Sequence, residues 1–360
     1  MAYSILVLNT GSTSTKLAVY QDQNRVLQRE YTHTKEELQK YPFMEDQLPM
    51  RRKLAEQFIE AKAKSYMPFD AIVARGGILC PIHSGGYEIN DAMVDYLLHV
   101  CKEEHASNVA ACIAKDLAQT YHIPKAYIYD GISTDELTPI ARISGIPQMP
   151  RVSITHALNM RAIAHKAAKE IGKSYQEANM VVVHMGGGIS MSLHKGGKAV
   201  DVVGDDEGPF SPERCGGQQV IQFMRFLHGE DNLKKKLRVI RGDSGLTGYL
   251  GTSDCREVEE RIQKGDQKAK VVYDAMIYQI AKYIGCLAAA ACGEIDLIAL
   301  TGGMAYSDYL VENLKKYISF LGPCLVYPGE NEMESLAFGA YRILSGEEKA
   351  LKFEFNNKSI

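Results

Sequence analysis

The chain has 360 residues, enough for two domains of ordinary size, and its 46% hydrophobic and 24% charged content is that of a folded, soluble protein. A net charge of -3 gives no basic footprint for nucleic acid and no acidic tail, so no nucleic-acid partner is expected. The eight cysteines form no CxxC pair, which argues against a zinc knuckle or a disulfide framework and for reduced thiols in a cytoplasmic protein.

The N-terminus lacks a basic region followed by a long apolar segment, so no signal peptide is expected. Ser4–Leu8 and Lys16–Tyr20 read as neighbouring strands around "NTGSTSTK", and Arg25–Thr32 as a third. Pro42–Met67 reads as helical. Ala71–Ala74 is a short apolar strand running into "RGGILC", Asp91–Tyr121 gives two helices, and Ala126–Tyr129 is a strand ending at Asp130. Ile154–Gly172 reads as a helix containing "HALN". A second cycle then opens with "MVVVHMGGGISMSLHKGGKAVDV", again strand, Gly turn, strand, turn, strand. Asn9 and His184 take matching places, each at the end of an apolar strand before a Gly/Ser turn. Ser211–His228, Asp254–Lys264 and Gln267–Cys292 read as helices, Leu297–Leu300 as a strand, and Glu332–Ser345 as the last long helix. The apolar stretch Ile284–Gly293 is too short to span a bilayer, so no membrane partner is expected, and the sequon at Asn357 carries no meaning in a cytoplasmic chain. Strands alternating with helices define an α/β chain in two lobes.

Phosphate binding is the first chemistry to test. The tripeptide "GKS" at Gly172–Ser174 is no Walker A loop, because Ala167 stands where the first glycine belongs. The opening hairpin offers another grip. Gly11 lets backbone approach a ligand, successive N–H groups of such a turn form an anion nest, Ser12, Thr13 and Ser14 add hydroxyls, and Lys16 adds charge. The plainer reading is a hairpin turn, since Asn, Gly and Ser favour turns anyway. The turn at Gly186, Gly187 and Gly188 strengthens the phosphate reading, because two such hairpins could clasp a polyphosphate. Gly302 and Gly303 admit a base or phosphate where a strand becomes a helix, or supply a turn with positive φ. Asp254 is either a ribose acceptor or a helix N-cap.

Arg75, between a strand and two glycines, suits a carboxylate or phosphate, with a surface arginine as the alternative. Arg214 lies in "SPER", which reads as a helix start capped by Ser211. A cation in a first turn opposes the helix dipole, which points to a compensating anion. His184, before three glycines, is a better functional candidate than His156. Asp130 ends a strand at a loop, a usual place for a metal carboxylate. Asn331 and Glu334 read as a capping pair, which leaves Glu332 free.

The motifs "LNTGSTSTK", "ARGG", "RVSITHALN", "HMGGGIS", "DDEGPFSPERCGG", "GYLGTSDCREV", "TGGMAYSDYL" and "GENEMESLAFGAYR" together resemble the acetokinase family over nearly the whole chain, within the superfamily of sugar kinases, actin and heat-shock chaperone ATPases. Acetate kinases look like more distant relatives than the butyrate-phosphorylating branch. The resemblance implies a two-lobed, actin-like and ribonuclease-H-like α/β fold with a duplicated βββαβαβα core and a central cleft. It divides into residues 1–153 plus 335–360 on the phosphate and carboxylate side and 154–334 on the nucleotide side. It implies ATP/ADP and Mg²⁺, a short-chain carboxylate and its acyl phosphate, and a homodimer or higher homo-oligomer. By position, Asn9, Gly11, Ser12, Ser14, Lys16 and Gly186–Gly188 lie near the transferring phosphate, and Asn9, Asp130 and Glu332 on the metal side. Arg75 resembles the carboxylate-binding arginine. His156, His184 and Arg214 surround the phosphoryl group in flight, and Asp254, Arg256, Gly302 and Gly303 form the adenosine site. Butyrate is the leading acceptor, with isobutyrate and other branched acids beside it. The other readings are an acetate or propionate kinase, a sugar kinase using Asp130 as base, and a non-enzymatic actin-like ATP-binding protein. A carboxylate is ionised at neutral pH and needs no base to attack phosphorus, so the chemistry is positioning and charge neutralisation.

Overall fold

Two cycles of strand, Gly turn and strand become two β-sheets in the computed structural model of the chain, which describes residues 2–355 except 42, 104, 230 and 231. Pro42, the expected start of a helix, and the sequon at Asn357 lie outside the described residues. The chain forms two compact units, Met1–Asp135 with Asn331–Ile360, and Glu136–Glu330.

In the first unit β1 (Ser4–Thr10), β2 (Ser14–Gln21) and β3 (Asn24–Thr32) form an antiparallel meander. β4 (Ala71–Arg75) joins β1 in parallel, β5 (Gly86–Glu88) is a short antiparallel strand, and β6 (Ala126–Tyr129) lies parallel to β4. In the second unit β7 (Met180–Met185), β8 (Ile189–Lys195) and β9 (Lys198–Val203) repeat the meander. β10 (Leu297–Gly302) lies parallel to β7, and β11 (Cys324–Pro328) parallel to β10. β12 (Leu351–Lys352) returns to the edge of the first sheet beside β5. In both sheets the order third, second, first, fourth is the same, β3-β2-β1-β4 and β9-β8-β7-β10.

Period-two alternation decides what each strand end can touch. In β1, Leu6 and Leu8 join the core beneath helices Leu48–Phe58 and Asn108–Thr120. Ile5, Val7 and Asn9 therefore turn to the opposite face, covered by helix Glu332–Leu344. In β7, Val181 and Val183 join the core with helix Gln267–Ala290. Met180, Val182 and His184 turn to the face covered by helix Ala157–Glu170. Asn9 and His184 are each the penultimate residue of their strand.

Several boundaries differ from the sequence reading. The units part at 135/136 and 330/331, whereas the motifs placed the divisions after 153 and 334. Residues 136–153 go with the second unit because they are tied to β9. Ala199 N donates to Glu136 Oε2 at 3.0 Å and Thr138 N to Val200 O at 3.0 Å, and Arg151 reaches Asp201 at 2.9 Å and Val202 O at 2.6 Å. The helix expected over Ile154–Gly172 begins at Ala157, with His156 at its N-cap. The helix expected over Ser211–His228 is only Val220–Leu227, because the chain before it folds back, with Gly208 N on Gly204 O and Gly217 N on Gly208 O. "SPER" is therefore not a helix start, and the dipole argument for Arg214 falls with it. Asn331 precedes the last helix but makes no side-chain cap bond, so the expected pair with Glu334 does not form.

His194 gives the second unit a measurable acid sensitivity. Its ring is buried between Tyr175 Oη at 2.8 Å and Ser192 Oγ at 2.7 Å. Burial first, then the Arg161 guanidinium, lower its pKa to about 3. Between about 6.5 and 3 the unfolded chain binds a proton at this site that the folded chain refuses, so stability present above about 6.5 is lost as pH falls. The urea midpoint is expected to drop over that window, and to drop less in His194→Gln. Parallel curves for the two proteins would show that His194 does not govern the slope.

Candidate active site

The first unit places three predicted site residues in one cluster. Asn9 Nδ2 donates to Glu332 Oε2 at 2.7 Å, and Arg75 Nη1 pairs with Glu332 Oε1 at 2.8 Å. Strand alternation brings Asn9 to the start of the last helix, and Arg75 is the final residue of β4, next to β1. Asn9 Oδ1 is buried with no hydrogen-bond partner. An orphaned carbonyl oxygen beside a carboxylate is a hard donor set of the kind that suits Mg²⁺. The two glycines after Arg75 serve packing. A Cβ on Gly76 would meet Gly131 Cα at 2.6 Å, and one on Gly77 would meet Asn108 Cα at 2.8 Å. Asp130 is buried with φ of 39°, and its Oδ1 accepts from Gly85 N at 2.7 Å. No group of three or more His, Cys, Asp or Glu side chains that could hold a metal forms among the described residues.

The β1–β2 turn is tied back through its carbonyls. Gly11 N donates to Ser14 O at 2.8 Å and His33 N to Thr13 O at 2.8 Å. Arg51, which the sequence reading did not single out, donates to Ser14 O at 2.8 Å and Ser12 O at 3.4 Å. The N–H groups of Ser12 and Thr13 donate to nothing among the described residues. Such a turn is an anion nest in waiting. A Cβ on Gly11 would meet only Ser14 Oγ, at 3.4 Å, and Ser14 O, at 3.8 Å, so backbone packing does not demand glycine there. Lys16 pairs across the ladder with Asn9, which puts the two on one face with Ser14. Its ammonium is 3.7 Å from Glu30.

The second unit gathers His156, His184, the glycine turn and Arg214. The imidazoles of His156 and His184 stack with centroids 3.9 Å apart. His156 Nδ1 bonds Ser190 Oγ at 2.7 Å, and His184 Nδ1 bonds Asn159 Oδ1 at 2.9 Å. An amide oxygen only accepts, so His184 Nδ1 donates and the ring meets the turn through Nε2. That atom is buried and unpartnered, 3.6 Å from Glu330 Oε1 and 3.3 Å from where a Cβ on Gly186 would stand. Ser211 Oγ donates to Gly187 O at 2.6 Å and Glu213 N to the same oxygen at 3.4 Å, so the "SPER" segment is sewn to the turn. The Arg214 guanidinium packs against Gly188, where a Cβ would meet its Cζ at 2.8 Å. Arg214 is paired to Asp205, and Arg241 Nη2 lies 3.7 Å from the same carboxylate. Burial, then the Arg241 charge, lower the Arg214 pKa. Asp205 is therefore the anion beside Arg214, and no helix dipole takes part.

Gly302, at the end of β10, has φ of 91°, and a Cβ there would meet Met185 O at 2.3 Å. A Cβ on Gly303 would meet nothing within 4 Å. Asp254 caps helix Cys255–Gln263 by accepting from Arg256 N at 2.9 Å. The Arg256 side chain returns to the same carboxylate at 2.7 Å and lowers the Asp254 pKa to about 2. Asp254 and Arg256 therefore hold each other.

Asn159, Asp205, Arg241, Glu330 and Arg51 were not found from sequence. Only Asn159 carried a signal, lying three residues after His156 on one helix face.

The duplicated meander with a parallel fourth strand is the actin-like ATPase fold, and a crystallised acetate kinase from Porphyromonas gingivalis has it too. That structure matches with a TM-score of 0.77 at 19% identity, over 96% of this chain and 100% of its own. The chain belongs to the acetokinase family, whose model matches residues 153–350. It is 48% identical to a Bacteroides thetaiotaomicron protein named "Probable butyrate kinase", over 95% of this chain and 98% of that protein. It is 41% identical to the protein named "Butyrate kinase 2" of Clostridium acetobutylicum, over 98% and 100%.

Proposed function

We propose that the chain phosphorylates butyrate with ATP, reversibly, to give butyryl phosphate and ADP. The observation that carries this reading is 48% and 41% identity, over nearly the full length, to proteins named "Probable butyrate kinase" and "Butyrate kinase 2". The two charged clusters support it. An anionic acceptor must approach an anionic triphosphate, and the residues needed are cations and donors rather than a base. A carboxylate oxygen forms a bond to the γ-phosphorus while the bond from phosphorus to the ADP oxygen breaks. No proton moves, since the acid is already ionised.

In this mechanism Arg75 holds the acid through donors that Glu332 does not occupy. The nest at Ser12 and Thr13, with the Ser14 hydroxyl and Lys16, takes polyphosphate oxygens. Gly186–Gly188 offer bare backbone to phosphate. Arg214, and His184 Nε2 when the ring holds a proton on both nitrogens, take the charge that develops on the transferring phosphoryl, with His156 stacked on the ring of His184. Gly302 and Gly303 leave room for the adenosine, and Asp254 with Arg256 contacts it from the helix start. Asn9, Asp130 and Glu332 would hold Mg²⁺, which when bound offsets charge on the phosphates. As part of the same reading the chain works in the cytoplasm as a homodimer or higher homo-oligomer. No helix among the described residues is long and apolar enough to cross a membrane.

The deciding experiment is a hydroxamate assay of acyl phosphate with ATP, Mg²⁺ and straight and branched C2–C6 carboxylates. Butyrate is expected to give the highest kcat/KM, with each methylene added or removed costing about 10-fold or more, in keeping with ~1–3 kcal/mol per methylene. A maximum at acetate or propionate would move the substrate assignment, and no hydroxamate with any acid would sink the carboxylate reading. Labelled phosphoryl retained covalently on the protein without acceptor would overturn direct transfer.

A further inference from the structure

We propose that Arg51 is a positioning residue for ATP phosphate, acting through the β1–β2 turn. This deepens the reading of that turn as a phosphate grip and rests on it. Arg51 lies in helix Leu48–Phe58, on the sheet face opposite Asn9 and Lys16, and is fully buried. Its guanidinium makes five bonds. Two go to Gln47 Oε1 at 2.9 and 3.1 Å, one to Thr15 Oγ1 at 3.0 Å, and two to the turn itself, at Ser14 O and Ser12 O. Thr15 Oγ1 is in turn bonded to His33 Nε2 at 2.9 Å. No carboxylate forms an ion pair with Arg51 among the described residues.

A buried cation with no carboxylate in direct contact is costly, and a structural clamp for two carbonyls does not require one. Burial lowers the pKa of Arg51 to about 10, against the pull of Glu37, which leaves it charged at neutral pH. What the charge does follows from the planar trans peptide. The C=O and the N–H of one peptide group point in opposite directions. With Ser12 O drawn toward Arg51, the N–H of Thr13 points away from it. With Thr13 O drawn to His33 N, the N–H of Ser14 points away as well. A cation on the carbonyl side also polarises each peptide and strengthens its N–H as a donor. Arg51 thus orients the Thr13 N–H of the nest, sharpens that donor and lends its positive field to a site it does not touch.

The test compares Arg51→Lys, Arg51→Gln and a Ser12→Ala/Ser14→Ala double variant in the full chain. Circular dichroism and melting report on the fold, and kcat and both KM values report on function. Arg51→Gln is expected to raise the KM for ATP roughly tenfold or more, with the KM for butyrate within about twofold. Arg51→Lys keeps the charge but loses the fork, so it is expected to fall between Gln and the parent chain. If Arg51→Gln fails to fold, the Lys variant carries the test alone through the same split between the two KM values. Variants that melt lower yet keep the parent KM for ATP and kcat would make Arg51 purely structural and overturn the proposal. A parent KM for ATP in the serine double variant takes the hydroxyls out of the grip: with a raised KM in Arg51→Gln the backbone N–H groups are the donors and the proposal stands, and with parent values in Arg51→Gln the phosphate reading of the turn and the Arg51 proposal fall together. A raised value in the serine double variant, with parent values in both Arg51 variants, would overturn the Arg51 proposal alone.

Discussion

Arg214→Ala is expected to lower kcat by about 10²–10³-fold while leaving the Kd for ATP within about threefold of the parent chain. The local geometry is the reason. The guanidinium packs against Gly188, where a side chain of any size would strike it. The segment that carries it is sewn to Gly187 by Ser211 and Glu213. Asp205 pairs with it as well, so the side chain has partners on this unit without any ligand. A preplaced cation of this kind stabilises charge that develops during transfer and costs no reorganisation at that moment. Ground-state ATP binding draws on many other donors and should hardly change. Arg214→Lys should recover little, because a point charge does not reproduce a planar fork packed on a glycine. Stopped-flow or isothermal titration gives Kd, and a coupled assay gives kcat. Equal and small changes in both would take Arg214 out of the transition state.

Local signals were enough to read the meanders. Alternating apolar residues bounded by Gly/Ser turns made β1–β2 and β7–β8–β9 legible, and the shared pattern marked Asn9 and His184 as equivalent. Alternation also explains why those two residues meet the helices they do. Other features depended on contacts distant in sequence. "SPER" has the composition of a helix start, yet Ser211 donates to Gly187 O instead of capping a helix, so the tertiary bond overrode the local signal. Asn331 and Glu334 have the spacing of a capping box, but the first turn of the last helix is organised around Glu332, which Asn9 and Arg75 both claim. Arg51 sits in "LPMRRKL", where its neighbour Arg52 is a surface residue paired to Glu56 and Asp116. Helical spacing sets Arg51 with Ala55 and Phe58 on the buried stripe and Arg52 off it, but no local signal names the turn as the partner of Arg51. Only the fold shows that Arg51 is buried beneath a turn whose carbonyls lie 37 and 39 residues earlier in the chain, while Arg52 stays half-exposed in its ion pairs.

Arg75→Ala should raise the KM for butyrate by about 10–100-fold, the worth of a charge-assisted hydrogen bond of roughly 1.5–3 kcal/mol, with little change in the KM for ATP. The complication is Glu332, which already holds one guanidinium nitrogen at 2.8 Å. Arg75 could therefore be a structural partner that keeps Glu332 in place, and both roles predict a damaged enzyme. A double-mutant cycle separates them. If Arg75 serves only to position Glu332, then Glu332→Gln reproduces the Arg75→Ala phenotype and the double variant is no worse than either single one. If Arg75 binds the acid, the effects divide. Arg75→Ala acts on the KM for butyrate, whereas Glu332→Gln removes a negative charge next to the incoming carboxylate and leaves that KM unchanged or lower. The loss in Glu332→Gln then falls on kcat and on the Mg²⁺ concentration needed for half-maximal rate, because its carboxylate neighbours the orphaned Asn9 Oδ1. An Arg75→Ala variant that keeps the parent KM for butyrate across the acid panel would place the carboxylate elsewhere, and the ion pair with Glu332 would be the whole function of that arginine.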